Sequence, residues 1–250
     1  MLERDMRRMS QDELNPALDS HELWWRNNKA GGYPLSLREV TVDGLSLVNR
    51  QLVESTWAFV TGANVDFSGT SLDRSSFQNV RLNSSRMLRA DYTECVMADV
   101  DFSDSDLTGA NLSVDAAAKG KALNLRNVNL TNGFICKTHI SESTFDNSLL
   151  VGSNLTKTVF ENCSFRGANF RNANLIKTEF INCDLRDADF IDANLLRTEF
   201  SRVRMHGVRG HMDPSVVIYA SEIDISRDGP GQYDGNIDTV RRLLSASGAR

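Results

Sequence analysis

A large apolar residue returns at every fifth position over most of this 250-residue chain. One run reads Phe67, Leu72, Phe77, Leu82, Met87, Tyr92, Met97, Phe102, Leu107, Leu112. A second starts at Leu125 and continues through Leu130, Ile135, Ile140 and Phe145 to Phe200 and Met205, with no polar residue at any step. A period of five matches neither the 3.6 of a helix nor the 2 of a flat strand. Two residues before each large one stands a small one, such as Ala90, Cys95, Ser105, Ala110, Ser143, Cys163, Ala168 and Thr178. Residues two apart on extended backbone face the same way. Each pentad therefore turns one small and one large side chain inward and the residue between them outward. The other two residues bend the chain, so every five residues make one short strand and one corner.

Similarity at a longer spacing counts the corners. CSFRGANFRNANLIKTEFIN (163–182) aligns with CDLRDADFIDANLLRTEFSR (183–202) at an offset of 20, and STFDNSLLVGSNLTKTVFEN (143–162) fits the same frame. Four pentads thus close one coil of square cross-section. Coils stacked as parallel strands sit about 4.8 Å apart. Phe160, Phe180 and Phe200 are predicted to form one vertical ladder, with Phe170 stacked on Phe190. Burying each Phe or Leu contributes roughly 1.5–3 kcal/mol, and each aromatic pair about 0.5–1.5 kcal/mol more.

GANFR, NANLI, DADFI and DANLL at 167–171, 172–176, 187–191 and 192–196, with TGANL and GANVDF in the first run, carry a recognisable motif. The pattern resembles the pentapeptide-repeat family, whose motif is written A(D/N)LXX, and the resemblance covers residues 37–205. It implies an all-β fold, a right-handed quadrilateral parallel β-helix, here with short helical caps. Some members of that family are acidic rods that mimic DNA, bind DNA gyrase or topoisomerase IV, and protect it from quinolones or peptide toxins. In some, a C-terminal segment joins two copies head to head. The resemblance therefore implies a type II topoisomerase as partner and a homodimer.

The phase holds backward from Phe67 to Trp57, Leu52, Leu47, Val42 and Leu37, with only Gly62 outside the apolar series. The solenoid is read as 37–205, after a tail and capping helix in 1–36. The phase slips between Leu112 and Leu125, which places an inserted loop at 113–122. A solenoid leaves an open sheet edge at each end, so capping segments are expected. Residues 1–12 are expected to fray, and LDSHELWWRN (18–27) reads as an amphipathic helix laying Leu23, Trp24 and Trp25 on the first coil. In 206–250, residues 216–225 read as a last strand, 227–235 as a turn around Asp-Gly-Pro-Gly, and 238–247 as a short N-capped helix. This C-terminal segment is where a homodimer would form.

Little in the chain points to catalysis. His21, His139, His206 and His211 are scattered, and the four cysteines, Cys95, Cys136, Cys163 and Cys183, show no CxxC pairing. They read as free thiols. Cys163 and Cys183 occupy stacked inward slots whose parallel Cβ vectors do not suit a disulfide. Gly120-Lys121 lacks the hydroxyl residue and first glycine of a phosphate loop. The expectation is a protein with no catalytic residues, no cofactor, no metal site and a filled interior. A formal charge of −5 argues against general binding to nucleic acid or membrane surfaces. No apolar run is long enough to span a bilayer and the start does not read as a leader, so the expected location is cytoplasmic.

With the interior filled, the exterior must act. Asp91, Glu94, Asp99, Asp101, Asp104, Asp106 and Asp115 fall between Ala90 and Ala118 with no Lys or Arg among them. They are expected in adjacent coils, beside a loop that also carries Lys119 and Lys121, and together these residues are the candidate partner-binding set. A second feature is a column: Lys137, Lys157, Lys177 and Arg197 recur every 20 residues, and Glu179 and Glu199 are expected to neutralise it. From Leu123 to Met205 nine acids face ten bases, so only the first half resembles DNA in charge. The leading expectation is a non-catalytic DNA mimic that protects gyrase or topoisomerase IV from a poison. The alternative is a protein-interaction scaffold without mimicry.

Overall fold

The computed structural model describes residues 6–113, 119–210, 216–227 and 235–245. In chain order its elements are β1 (Arg7–Arg8), α1 (Gln11–Arg26), β2 (Ser36–Thr41), β3 (Thr56–Thr61), β4 (Ser76–Arg81), β5 (Val96–Asp101), β6 (Lys119–Asn124), β7 (His139–Ser141), β8 (Val159–Glu161), β9 (Glu179–Ile181), β10 (Asp189–Phe190), β11 (Glu199–Arg204), β12 (Arg209–Gly210), β13 (Tyr219–Asp224) and α2 (Ile237–Ser245). Eleven strands form one parallel sheet in the order β1 through β9, β11, β13, and β10 pairs with β12. The register advances by one coil per rung: Trp57 lies on Phe77, Phe160 on Phe180, and Phe180 on Phe200.

Single parallel bridges complete the other sides of the square. Four outward-facing columns climb the molecule and define its faces. Face A runs through Ser76, Val96, His139, Val159, Glu179 and Glu199. Face B runs through Arg81, Asp101, Asn124, Thr144, Ser164, Asp184 and Arg204. Face C runs through Asp66, Arg86, Asp106, Asn129, Leu149, Asn169 and Asp189, and face D through Ser71, Asp91, Asn111, Phe134, Asn154, Asn174 and Asn194.

The five-residue series is the core. Phe67, Leu72, Leu82, Met87, Leu107, Leu130, Phe145, Leu155, Phe165 and Leu185 are fully buried, as are the small slots Ala90, Ala110, Ala168 and Ala173. The aromatic ladders stand as predicted: ring centroids lie 5.5 Å apart for Phe160–Phe180, 5.6 Å for Phe180–Phe200 and 4.8 Å for Phe170–Phe190, all stacked. Inward hydroxyls find carbonyls one coil below, with Thr178 Oγ1 donating to Leu155 O and Thr198 Oγ1 to Leu175 O, both at 2.8 Å. These inward hydroxyls are thereby satisfied.

Each corner turns through a residue in the left-handed region. Asn49, Asn64, Arg89, Asp104, Asn147, Lys157, Asn172 and Asp192 all have φ between 52° and 62°. Asn, Asp and Gly tolerate this conformation best. At Gly207 (φ 69°) a Cβ would fall 2.1 Å from Asp187 Oδ1, so the corner is closed to any larger residue without a shift.

Four boundaries differ from the sequence expectations. The insertion is narrower than 113–122: β6 pairs Gly120 with Met97 and Leu123 with Val100, so 119–122 lie in the sheet. That coil exceeds its neighbours by only three residues, because Lys119 and Gly120 supply the A-face backbone although neither reads as core. Residues 114–118 lie outside the described residues. The solenoid also continues past Met205, since β12 and β13 add to β10 and β11 in frame. The turn expected at 227–235 falls mostly on residues outside the description.

At the other end, residues 7 and 8 are a strand laid on β2, not a frayed tail. Helix α1 starts at Gln11, where Ser10 Oγ accepts from Glu13 N and Glu13 Oε2 accepts from Ser10 N, a capping box. The earlier start moves the inward stripe to Leu14, Leu18 and His21, all fully buried, and leaves Leu23 half exposed. At the C-terminus α2 buries Val240 and Leu244. Each end of the solenoid thus carries a helix.

Candidate functional site

The interior offers little room. A void of about 20 Å³ lies between Tyr92, Cys95, Met97, Leu112, Leu123, Thr138 and Ile140. It adjoins the rung where Gly120 takes a large residue's place between Met97 and Ile140. Among the described residues the hydroxyl of Tyr92 is buried there without a partner. Burial pushes the Tyr92 phenol and the Cys95 thiol well up, so both stay neutral. Among the described residues no cluster of His, Cys, Asp or Glu could hold a metal, and no helix is long and apolar enough to cross a membrane.

The acidic residues occupy one coil, not adjacent ones. Asp91 stands on face D, Glu94 on the D–A corner, Asp99 on the A–B corner, Asp101 on face B, Asp104 on the B–C corner and Asp106 on face C. The reason is arithmetic: a stretch of sequence shorter than 20 residues passes once round a four-pentad coil. The result is a belt round the rod, and no single face carries all six carboxylates. Asp99, Asp101 and Asp104 share face B and its two corners, Asp106 lies on the adjoining face C, and Asp91 and Glu94 lie on face D and its corner.

Within the belt the carboxylates have two uses. Asp101 Oδ1 accepts from Ser103 N at 2.9 Å, and Asp106 Oδ1 from Thr108 N at 3.1 Å and Thr108 Oγ1 at 2.6 Å. Asp91 accepts from the Thr93 backbone and hydroxyl. These bonds hold the corner that follows each residue. Asp104 Oδ1 accepts from Asn127 Nδ2 at 2.9 Å. None of the six is in an ion pair among the described residues. Nearby, burial pushes the carboxyl of Asp73 up; Arg74 opposes this, and the charges of Asp91, Glu94 and Glu54 add to it.

The loop residues divide. Asp115 lies outside the described residues. Lys119 opens β6 in register with His139. Lys121 is not free, because its Nζ lies 3.2 Å from Glu142 Oε1 on the next rung.

The basic column stands, and among the described residues nothing neutralises it. Lys137, Lys157, Lys177 and Arg197 share the D–A corner at φ 58°, 61°, 58° and 58°, and all four are exposed. The expected pairing with Glu179 and Glu199 is not made: the two glutamates stack on each other's rungs on face A, and none of the four cations is in an ion pair among the described residues. Unit charges about 5 Å apart repel by roughly 0.8 kcal/mol even in water. Sequence reasoning located this column but not its isolation, which depends on where the glutamates point.

Residues 75–113 match a family model described as pentapeptide repeats (8 copies), and residues 153–210 one described as a pentapeptide repeat region. Among curated protein sequences none matches the chain. A trypsin-treated form of QnrB1, described as a plasmid-mediated fluoroquinolone resistance protein, superposes with a TM-score of 0.51 at 15% identity, over 77% of this chain and 90% of that one. Full-length QnrB1 gives 0.47 at 13% identity, over 77% and 94%. HetL, a pentapeptide-repeat protein from the cyanobacterium Nostoc involved in heterocyst differentiation regulation, gives 0.35 at 16%, over 90% and 100%. The repeat matches, the square coil and the shared fold agree: this chain is a pentapeptide-repeat protein.

Proposed function

We propose that this protein is a non-catalytic rod that binds a protein partner through the carboxylate belt, and that the partner is a type II topoisomerase, DNA gyrase first, which it shields from a poison. The observation that carries this is the belt itself: six carboxylates in one coil, in no ion pair among the described residues, beside a break in the repeat phase. Carboxylates fixed on a stiff scaffold suit a basic surface that ordinarily holds phosphates. QnrB1, whose fold is similar, is a fluoroquinolone resistance protein. Because the belt encircles the rod, a flat partner meets part of it, and the densest part is Asp99, Asp101 and Asp104 on face B and its corners, with Asp106 on the adjoining face.

The test is gyrase supercoiling with a quinolone present. Wild-type protein at micromolar concentration should restore supercoiling, and a variant carrying Asp99→Asn, Asp101→Asn, Asp104→Asn and Asp106→Asn should not. Asn keeps the corner hydrogen bonds, and it already stands at Asn79, Asn124, Asn127 and Asn129 one rung away in the same columns. Restored supercoiling by the variant, or none by the wild type, refutes the proposal. The latter result favours a second reading, a scaffold for some other protein, which the mixed charge from Leu123 onward suits. A homodimer through the C-terminal segment belongs to the first reading, and light scattering on the full chain tests it.

A further inference from the structure

We propose that the cationic ridge on the D–A corner, together with face D beside it, binds a single-stranded nucleic acid along its phosphate backbone. This site is separate from the carboxylate belt and does not rest on the topoisomerase reading.

The ridge is a rigid line. Lys137 N donates to Thr156 O, Lys157 N to Ile176 O and Lys177 N to Leu196 O, each at 3.0 Å, so every ridge residue is bonded to the rung above. Four cations therefore span three rungs, about 14 Å. Backbone conformation does not explain the residue choice. A left-handed corner favours Asn or Gly, and corners elsewhere in the same coils use Asn132, Asn147 and Asn162 at similar φ. Nor do these charges guard a sheet edge against aggregation. The corner runs along the side of the solenoid, where the strands are already paired above and below.

Neutralisation does not explain the ridge either. Most other cations of these coils, Arg126, Arg171, Arg186, Arg202 and Arg204, are in ion pairs, Arg166 being an exception among the described residues. The ridge cations are not, among the described residues. Face D adds donors. Asn154 Oδ1 accepts from Thr156 N at 3.1 Å, Asn174 Oδ1 from Ile176 N at 3.3 Å and Asn194 Oδ1 from Leu196 N at 3.2 Å. With each oxygen held by the backbone, the three amide NH2 groups are left as donors for a ligand. Ridge and ladder together present donors and positive charge, which suits anionic oxygens.

Phe134 selects among anions. It stands on face D directly below Asn154, on the face whose next corner is Lys137, and is 46% exposed. An exposed ring beside a row of cations is the pairing by which single strands are held, the bases stacking while the phosphates meet charge. An acidic homopolymer such as polyglutamate has no ring to stack on it. Glu179 and Glu199 on face A repel phosphates from the opposite flank and steer the strand toward face D.

The experiment is fluorescence anisotropy of the full chain with a 20-nucleotide oligothymidylate, a duplex of equal length, and polyglutamate. Four phosphate contacts give an expected slope of log K against log salt of about −2.8. A variant with Lys137→Asn, Lys157→Asn, Lys177→Asn and Arg197→Asn should lose at least tenfold, and Phe134→Asn should weaken oligothymidylate only. Both replacements use the residue favoured at their sites, and an unchanged thermal melt confirms the fold. The belt variant should bind as wild type does. Absent oligothymidylate binding, an unaffected ridge variant, or equal binding of duplex or polyglutamate overturns the proposal.

Discussion

Replacing Phe180 by Ala tests the inside–outside phase on which everything else depends. Its ring is fully buried and lies 5.5 Å from Phe160, 5.6 Å from Phe200, 5.5 Å from Phe165, 6.0 Å from Phe170 and 6.3 Å from Phe190. Truncating a core Phe costs about 3–5 kcal/mol. Two stacked partners are lost as well, each worth about 0.5–1.5 kcal/mol, which puts Phe180→Ala in the upper half of the range. Phe134→Ala changes the same side chain on an outward slot and should cost under about 1 kcal/mol. Urea unfolding followed by circular dichroism gives the difference. Hydrogen exchange gives its location, because coils of a solenoid interact with nearest neighbours only. Amides of β8, β9 and β11 should exchange roughly 10³-fold faster, and those of β2–β4 should not change. Equal costs for the two variants, or faster exchange along the whole rod, would show that the five-residue series is not the core.

Two further predictions concern the ends. Burial lowers the pKa of His21, against the charges of Glu22 and Glu54, and His21 Nδ1 accepts from Leu35 N at 2.8 Å. The unfolded chain therefore takes up the proton first, and stability is lost as the pH falls below about 6.5. The urea-midpoint gap between wild type and His21→Asn should shrink from pH 7.5 to pH 5.5, and a constant gap would refute this. Asp224, whose side chain is fully buried, pairs with Arg204 Nε at 3.0 Å and accepts from Ser226 N at 2.9 Å. Asp224→Asn should destabilise by about 3 kcal/mol and raise exchange in β13 before β9, and a change within 0.5 kcal/mol would remove this pair as an anchor of the last coil.

Much of the architecture could be read directly, because one rule repeats. A Phe at 160, 180 and 200 leaves a square coil no freedom about where the rings meet. What escaped reading is where the rule is broken by residues with little chemistry. Gly120 sits in a large residue's slot, so residues 119–122 read as loop although they lie in a strand. Val208 and Ile223 complete another coil without the motif. Ser10 and Glu13 start a helix that the Trp pair suggested lay later. The corners' left-handed backbone shows only faintly as an excess of Asn and Gly. The acidic stretch was visible as composition, but its wrapping round the rod was not, since that depends on converting position along the chain into direction.

The coil that contains residues 114–118 carries a wider lesson. In a flat sheet, adding one residue turns every later side chain over. Here Met97 meets Gly120 and Val100 meets Leu123, three residues out of step with their neighbours, yet Leu125 and all that follow return to the interior. Each layer takes its orientation from the layer beneath, not from distance along the polymer. Such a molecule can accumulate extra residues at any bend and resume its climb unchanged, which gives evolution a place to graft new contacts without disturbing what holds the tower up.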